Sequence, residues 1–378
     1  MVATVYFTDT RAPVAEVSEW YQPHLSAVSR LDELIAKSGI LDDVERGESV
    51  ALKVHFGERG VTKQLRSVFM RKVAELVKAR GGDPFFTETC GLGMSRATNF
   101  ATGRIRVAEE NGYTHQTLGA PIIIADGIKG LDFVKVEVDG IQLKEVYVAR
   151  AIADCDRLIC LTHFKGHLTG SFGGSLKNIG VGCTAKPSKY DIHLKDYPQI
   201  DSSRCNHCDE CVKICPSDAI EDYAIDTRRC IRCGGCIGIC REDAVIVEWT
   251  KPAELDTRLV DCAKAVMDLV GRDKFTFFNF LLDITPHCDC HPYSDNPIVP
   301  DLGILASRDI VAIDKASLDL VTAATALPES MANGIEGDKF RGIFPETDSG
   351  VQIDAGERLG LGNREYAIVE VHAKKMKK

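Results

Sequence analysis

The sequence predicts an α/β protein, a mixed sheet layered with helices and interrupted by one small cysteine-rich insert. Three observations carry that expectation. Apolar residues recur at alternating strand and helix spacings on both sides of the insert. A hairpin pattern around Asp139-Gly140 argues that the sheet is not purely parallel. Eight of the 15 cysteines crowd between Cys205 and Cys240, where the alternation stops.

Taken in order, Thr4 to Phe7 reads as a strand. Val28, Leu31, Leu34 and Ile35 share a helical face that Gly39 would end. Val50 to Phe56 is a strand, and Leu65, Val68, Phe69, Val73, Leu76 and Val77 form a stripe stopped by Gly81-Gly82. Pro84 to Thr87 and Pro121 to Ala125 are further strands. Val134, Val136 and Val138 alternate with charges before Asp139-Gly140 turns the chain into Ile141 to Val148. Arg157 to Leu161 is a buried strand, with His163 and Lys165 just past its end. After the insert, Leu255, Leu259, Ala263, Val266, Met267 and Val270 make another helical stripe. Strands are expected at Phe275 to Ile284, Gly303 to Ala306 and Ile310 to Ile313, then a helix from Lys315 to Ala324 capped by Asp314. The expected organisation is a body of residues 1–197 and 251–378 around an insert of residues 198–250.

Composition narrows the class. With 46 basic and 55 acidic residues the formal charge is −9, a poor footprint for nucleic acid. No apolar run approaches the ~18 residues of a membrane span, and Met1 to Thr10 lacks the pattern of an export signal. A cytoplasmic protein is expected, with a solvated lysine-rich end at Ala373 to Lys378. In a reducing compartment, 15 cysteines point to metal rather than to disulfides.

The insert makes that specific. Cys205, Cys208, Cys211 and Cys215, followed by Pro216, have the spacing C-x2-C-x2-C-x3-C-P. Cys230, Cys233, Cys236 and Cys240 repeat it, with Arg241 in place of proline. This is the bacterial two-[4Fe–4S] ferredoxin pattern, in which the last cysteine of each run ligates the other cluster. One cluster would take Cys205, Cys208, Cys211 and Cys240, and the other Cys230, Cys233, Cys236 and Cys215. Zinc, the alternative, favours paired C-x2-C knuckles over two runs of four. The insert carries 10 acidic and 6 basic residues, which favours a low potential.

The body offers a second constellation, His163 to Asn178, rich in glycine, histidine and lysine, just after a buried strand. Ligands gather at such strand ends. Lys177 and His167 are the candidate catalytic pair. His163, Lys165, Gly173, Gly174, Asn178 and His193 are candidates for binding substrate or cofactor, the glycine-rich loop by exposing backbone N–H groups to an anion. A third constellation, Asp283 and His287 to His291, contains Cys288 and Cys290 as possible further metal ligands. His55 and Cys90-Gly91 with Gly93 also follow strands. Gly91-Leu92-Gly93 begins a dinucleotide fingerprint, but Arg96 stands where its third glycine would be.

These motifs, with Asp301-Leu302-Gly303-Ile304 and Val311 to Ala316, resemble domain-of-unknown-function family 362, many members of which carry the same ferredoxin segment. His167, Gly170, Gly173, Gly174, Lys177 and His193 are more remotely similar to a motif of the lactate racemase family. That likeness implies a lysine at 177 carrying a nickel-pincer nucleotide and a nickel ligand at His193.

The leading expectation is a redox enzyme whose clusters exchange electrons with a small-molecule site in the body, with a redox partner or a small anionic substrate. Alternatives are a non-catalytic electron-transfer or cluster-handling protein and a racemase-like enzyme with structural clusters. An additional metal or small organic cofactor fits either enzyme.

Overall fold

The computed structural model describes residues 2–16, 18, 20–92 and 97–371; the expectations for Gly93, Arg96 and Ala373 to Lys378 lie outside them. Among the described residues, no helix is long and apolar enough to cross a membrane.

Eight strands form one mixed sheet. In chain order they are β1 (Ala3–Thr8), β2 (Ser49–Lys53), β3 (Asp83–Glu88) and β4 (Ile122–Ile124), then β7 (Arg157–His163), β10 (Phe275–Leu281), β11 (Gly303–Ser307) and β12 (Tyr366–Glu370). The spatial order is β12-β1-β11-β10-β7-β2-β3-β4. β11 pairs antiparallel with both neighbours, and every other pairing is parallel. Period-two alternation assigns the two faces. Ala51, Leu158, Cys160, Phe275 and Phe277 enter one apolar core; Val50, Leu52, Ile159, Leu161, Phe278 and Phe280 enter the other. α1 (Ala27–Ser38) and α2 (Ser67–Ala79) cover the second face. Gly39 ends α1 in the left-handed conformation, φ 62°, as the sequence indicates. α6 (Pro252–Val270) and α7 (Ile310–Ala323) cover the first face.

Several expectations are corrected. The hairpin is real, β5 (Phe133–Glu137) with β6 (Glu145–Ala149), but it forms a separate two-stranded sheet, so the main sheet is mixed because of β11. Its connection is longer than an Asp-Gly turn, because Asp261 of α6 accepts the N–H groups of Ile141, Gln142 and Leu143 and holds them off the strand. Ile310 to Ile313 is the first turn of α7 rather than a strand. Its cap is Asp309, which accepts from the Val311 and Ala312 N–H groups. Asp314 therefore lies inside the helix.

Asp314 instead caps a neighbouring element. After β7 come the short strands β8 (Lys165–His167) and β9 (Ser171–Gly173), then α4 (Ser175–Gly180). The Asp314 carboxylate accepts from Ser175 N (2.7 Å), Leu176 N (2.8 Å) and Asn279 Nδ2 (2.8 Å). Residue 174 must be glycine here, since a Cβ would stand 2.5 Å from that carboxylate.

Residues 198–250 carry short elements with internal symmetry. The helical turns Glu210–Ile214 and Gly235–Ile239 are preceded by left-handed residues at equivalent places, His207 and Asp209 in one half, Arg232 and Gly234 in the other. Asp218 and Asp243 are likewise left-handed. Ala219 N–H donates to Cys215 Sγ and Ala244 N–H to Cys240 Sγ, both at 3.3 Å. The chain enters and leaves side by side: Leu194 bridges Trp249, Lys195 N–H reaches Glu248 O (2.9 Å) and Thr250 N–H reaches His193 O (2.9 Å). Ile237 and Val247 pack on Leu92, Tyr190 and Leu194 of the body.

Because the ends meet and the shared apolar patch is this small, replacing residues 198–250 with a short linker should leave a single cooperative thermal transition. Its Tm should fall by roughly 5 °C from the uncovered patch. A variant without a cooperative transition would show that the two parts share one core.

Candidate functional site

The parallel strands β2, β3, β7 and β10 deliver their carboxyl ends to one side of the sheet, the side on which open α/β sheets collect ligands. A cavity of about 900 Å3 opens there. β2 brings His55, β3 brings Glu88, the segment after β7 brings Lys165, His167, Gly173, Gly174, Lys177 and Asn178, and the loop after β10 brings Cys288, Cys290 and His291. α5 (Lys186–His193) adds Lys189 and His193, and Trp249 closes one side. The structure thus brings together all the body residues singled out for binding or catalysis except His163.

His163 ends β7 behind the wall. Its Nδ1 faces Asp289 Oδ2 at 2.9 Å and its Nε2 faces Leu282 O at 3.0 Å. Lys165 Nζ also pairs with Asp289, at 3.3 Å. Burial would raise the Asp289 pKa, but His163 and Lys165 hold it below the usual carboxylate range. His163 therefore positions the loop that carries the two cysteines.

Two of the cavity histidines, His193 and His167, are fixed in opposite tautomers by backbone groups. His193 Nδ1 lies 2.7 Å from Lys189 O, so it donates its hydrogen there and leaves Nε2 as an acceptor. His167 Nδ1 accepts the Gly170 N–H at 2.8 Å, so its proton sits on Nε2. Burial pushes the His193 pKa down to about 4 and His167 well below its ordinary value, with the Lys177 charge adding to both effects. Burial likewise takes His55 down to about 4.

Lys177 Nζ donates to Cys288 Sγ at 3.2 Å. Burial would lower the Lys177 pKa, but the sulfurs of Cys288 and Cys290 outweigh it and hold the lysine charged. Cys288 is held well below the usual thiol range, first by a hydrogen bond from the Cys290 thiol; Cys290 is correspondingly raised. His167, Cys290 and His291 bring donor atoms within 4.8 Å of one another. That donor set, with the many cysteines elsewhere, fits a metal-binding protein.

The glycine loop works differently from a phosphate cradle, because the N–H groups of Ser175 and Leu176 are already taken by Asp314. The charged groups that face the cavity are therefore side chains and not loop amides. The lining contains Arg59, Arg104, Lys165, Lys177 and Lys189 against Glu58 and Glu88, opposite in sign to the chain as a whole, −9.

A buried network escaped the sequence reading. Lys53 Nζ donates to Glu88 Oε1 (3.0 Å) and Asn178 Oδ1 (2.8 Å). Arg104 Nη2 donates to Glu88 Oε2 (3.1 Å). Asn178 Nδ2 in turn reaches Thr162 Oγ1 (3.0 Å), so Asn178 ties α4 to β2 and β7. The available signal was a lysine inside the apolar run Val50 to Val54 and a glutamate after Phe85-Phe86-Thr87, since buried charges need partners.

The cysteine-rich segment has two smaller cavities. Cys205, Cys208, Cys211 and Cys240 line one, and Cys215, Cys230, Cys233 and Cys236 line the other. Tyr190 and Arg232 stand beside the second quartet.

His55 and His193 generate a pH prediction. Their folded pKa values, about 4, lie below the unfolded value of about 6.5. The native state therefore holds fewer protons between these limits. Their stabilising contribution is fully present above about pH 6.5 and is lost as pH falls toward about 4. The stability gap between wild type and a His55→Gln/His193→Gln variant, from denaturant midpoints, should shift in favour of the variant across that window. A constant gap would refute the burial argument.

No curated protein matches the chain. Among solved structures it is similar to the lactate racemase apoprotein from Thermoanaerobacterium thermosaccharolyticum, at 12% identity and TM-score 0.32, over 65% of this chain and 45% of that one. It is also similar to a protein from Thermotoga maritima, at 10% identity and TM-score 0.37, over 69% and 52%. The chain spans about half the length of these two structures. The model of the family described as Domain of unknown function (DUF362) matches residues 50–319, and the chain belongs to that family.

Proposed function

We propose that the protein is an iron–sulfur oxidoreductase whose two [4Fe–4S] clusters exchange electrons with a small anionic molecule held in the large cavity. The observation that carries this reading is the crosswise sorting of the eight cysteines into two quartets, each around its own cavity. Four thiolates per site, three from one run and the fourth from the other, are the donor set such clusters require. When bound, the clusters supply one-electron transfer.

The chain's own residues do the rest. The second quartet stands against Tyr190 of α5, while Lys189 and His193 of the same helix line the large cavity. One short helix thus separates the two sites. Arg232, ion-paired with Asp191, lies beside the second quartet and offsets negative charge there. In the cavity, Lys165, Lys177 and Lys189 hold and orient an anion. His167 donates a hydrogen bond from its Nε2–H, orienting a bound anion, and His193 presents Nε2 as a proton acceptor, the group suited to proton movement accompanying electron transfer. Oxygen-sensitive clusters and free thiols suit a reducing compartment such as the cytoplasm.

A second reading, a racemase-like enzyme with structural clusters, is favoured by the convergence of His167, Lys177 and His193 on one cavity. In it, Lys177 would carry an organic cofactor and His193 would bind its metal. Intact mass of the purified chain decides whether Lys177 bears an adduct.

Anaerobically purified protein should contain about eight irons and about eight sulfides. Cys215→Ser should damage the cluster of Cys230, Cys233 and Cys236 and spare the one nearest in sequence, leaving about half the reduced-state EPR intensity. Stoichiometric zinc without sulfide would end the electron-transfer reading.

A further inference from the structure

We infer that Cys288 and Cys290 form a redox-active dithiol/disulfide couple, the group in the cavity that stores an electron pair. The inference rests on the electron-exchange reading for its electron supply alone; the couple itself follows from geometry.

Both cysteines line the large cavity. A hydrogen-bonded turn, His291 N–H to Cys288 O at 2.9 Å, bends the chain between them, and both residues line the same cavity wall. The residue in between is pinned in the opposite direction: the Asp289 carboxylate is buried on His163 and Lys165, and its carbonyl accepts the Glu58 N–H at 2.8 Å. The loop is therefore held, and the two thiols are presented together.

Their surroundings differ in the way a dithiol couple uses. Cys288 is buried, and the Lys177 ammonium donates to its sulfur at 3.2 Å. Cys290 is exposed and open to an incoming molecule. Cys90, Cys155, Cys160, Cys183 and Cys262 are buried and do not line this cavity. A disulfide between cysteines one residue apart closes a small strained ring, and strained disulfides are the labile, catalytic ones.

The chemistry balances. On reduction the S–S bond breaks, two electrons and two protons are taken up, and two thiols result. Two one-electron clusters, held by the two cysteine quartets, would supply the pair, and the charged Lys177 stabilises the sulfur that first carries negative charge. In the reverse direction the dithiol passes two electrons and two protons to an oxidised substrate, such as a small anionic disulfide.

The tryptic peptide from Phe275 to Arg308 contains Cys288 and Cys290 and no other cysteine, so the cluster ligands do not interfere. Full-length protein, with iron and sulfide measured on the same sample, is equilibrated in mixtures of reduced and oxidised glutathione, whose poise spans the range of labile disulfides, quenched with iodoacetamide and digested. The expected result is a fall from two alkyl groups to none as the mixture becomes oxidising, the unalkylated peptide being lighter by two hydrogens. Cys288→Ser and Cys290→Ser should each abolish that species. Two alkyl groups at every poise would overturn the inference, as would protection of both thiols that a chelator removes, which means a bound metal. A disulfide that forms in protein lacking iron and sulfide keeps the couple and refutes the cluster supply, so the two failures are separable.

Discussion

Glu88 has no solvent to lean on. It ends β3 almost fully buried, and its charge persists because Lys53 on β2 and Arg104 on α3 (Ala101–Glu110) meet it from two sides. Burial alone would raise its pKa; those two cations hold it low. Removing one member of such a buried group strands the others, at a cost of about 3–5 kcal/mol. The arrangement also fixes geometry. Lys53 carries the constraint on to Asn178, and through it to α4, where Lys177 is the preceding residue. The cavity is thus framed by charges that position one another, and the lysines lining it are extensions of elements that are locked together.

Much of the fold was legible because buried parallel strands and amphipathic helices leave different periods. Strand β10 falls within the apolar run that announces it, and β2, β3, β7 and β11 overlap theirs, each overrunning by one or two residues at an end. Ile310 to Ile313 shows where that signal fails. Four apolar residues in a row have no period, and only the cap at Asp309 separates a strand from the first turn of a helix buried on most sides. Asp314 failed for a related reason. An acidic residue before an apolar run looks like a cap, and it is one, but for a helix more than 130 residues away in sequence.

The candidate site was legible in its parts and illegible in its joins. His167, Lys177, His193, Cys288 and Cys290 stood out by residue type next to strand ends. What spacing could not supply was direction. His163 looks as functional as His167 in sequence, yet one faces Asp289 behind the wall and the other faces the cavity. Nor could it show that the loop's amides serve Asp314 and not a ligand. Direction depends on which neighbour claims each polar atom, and those neighbours lie on other elements.

α5 explains why a cysteine-rich segment can sit where it does. Over eight residues it meets three parts of the protein. Ser188 Oγ accepts the Tyr147 N–H of the hairpin at 2.7 Å, and Asp191 pairs with Arg232 of the cysteine-rich segment. Lys189 donates to Thr89 Oγ1 at 2.5 Å beside the large cavity. A helix bonded on so many sides has little freedom to shift. Residues 198–250 leave the chain just beyond it, and their exit strand returns to pair with its last turn. Cys215, Cys230, Cys233 and Cys236 are therefore kept at a fixed offset from Lys189 and His193. The electron exchange proposed between the two sites would then run across a separation that this anchoring holds constant.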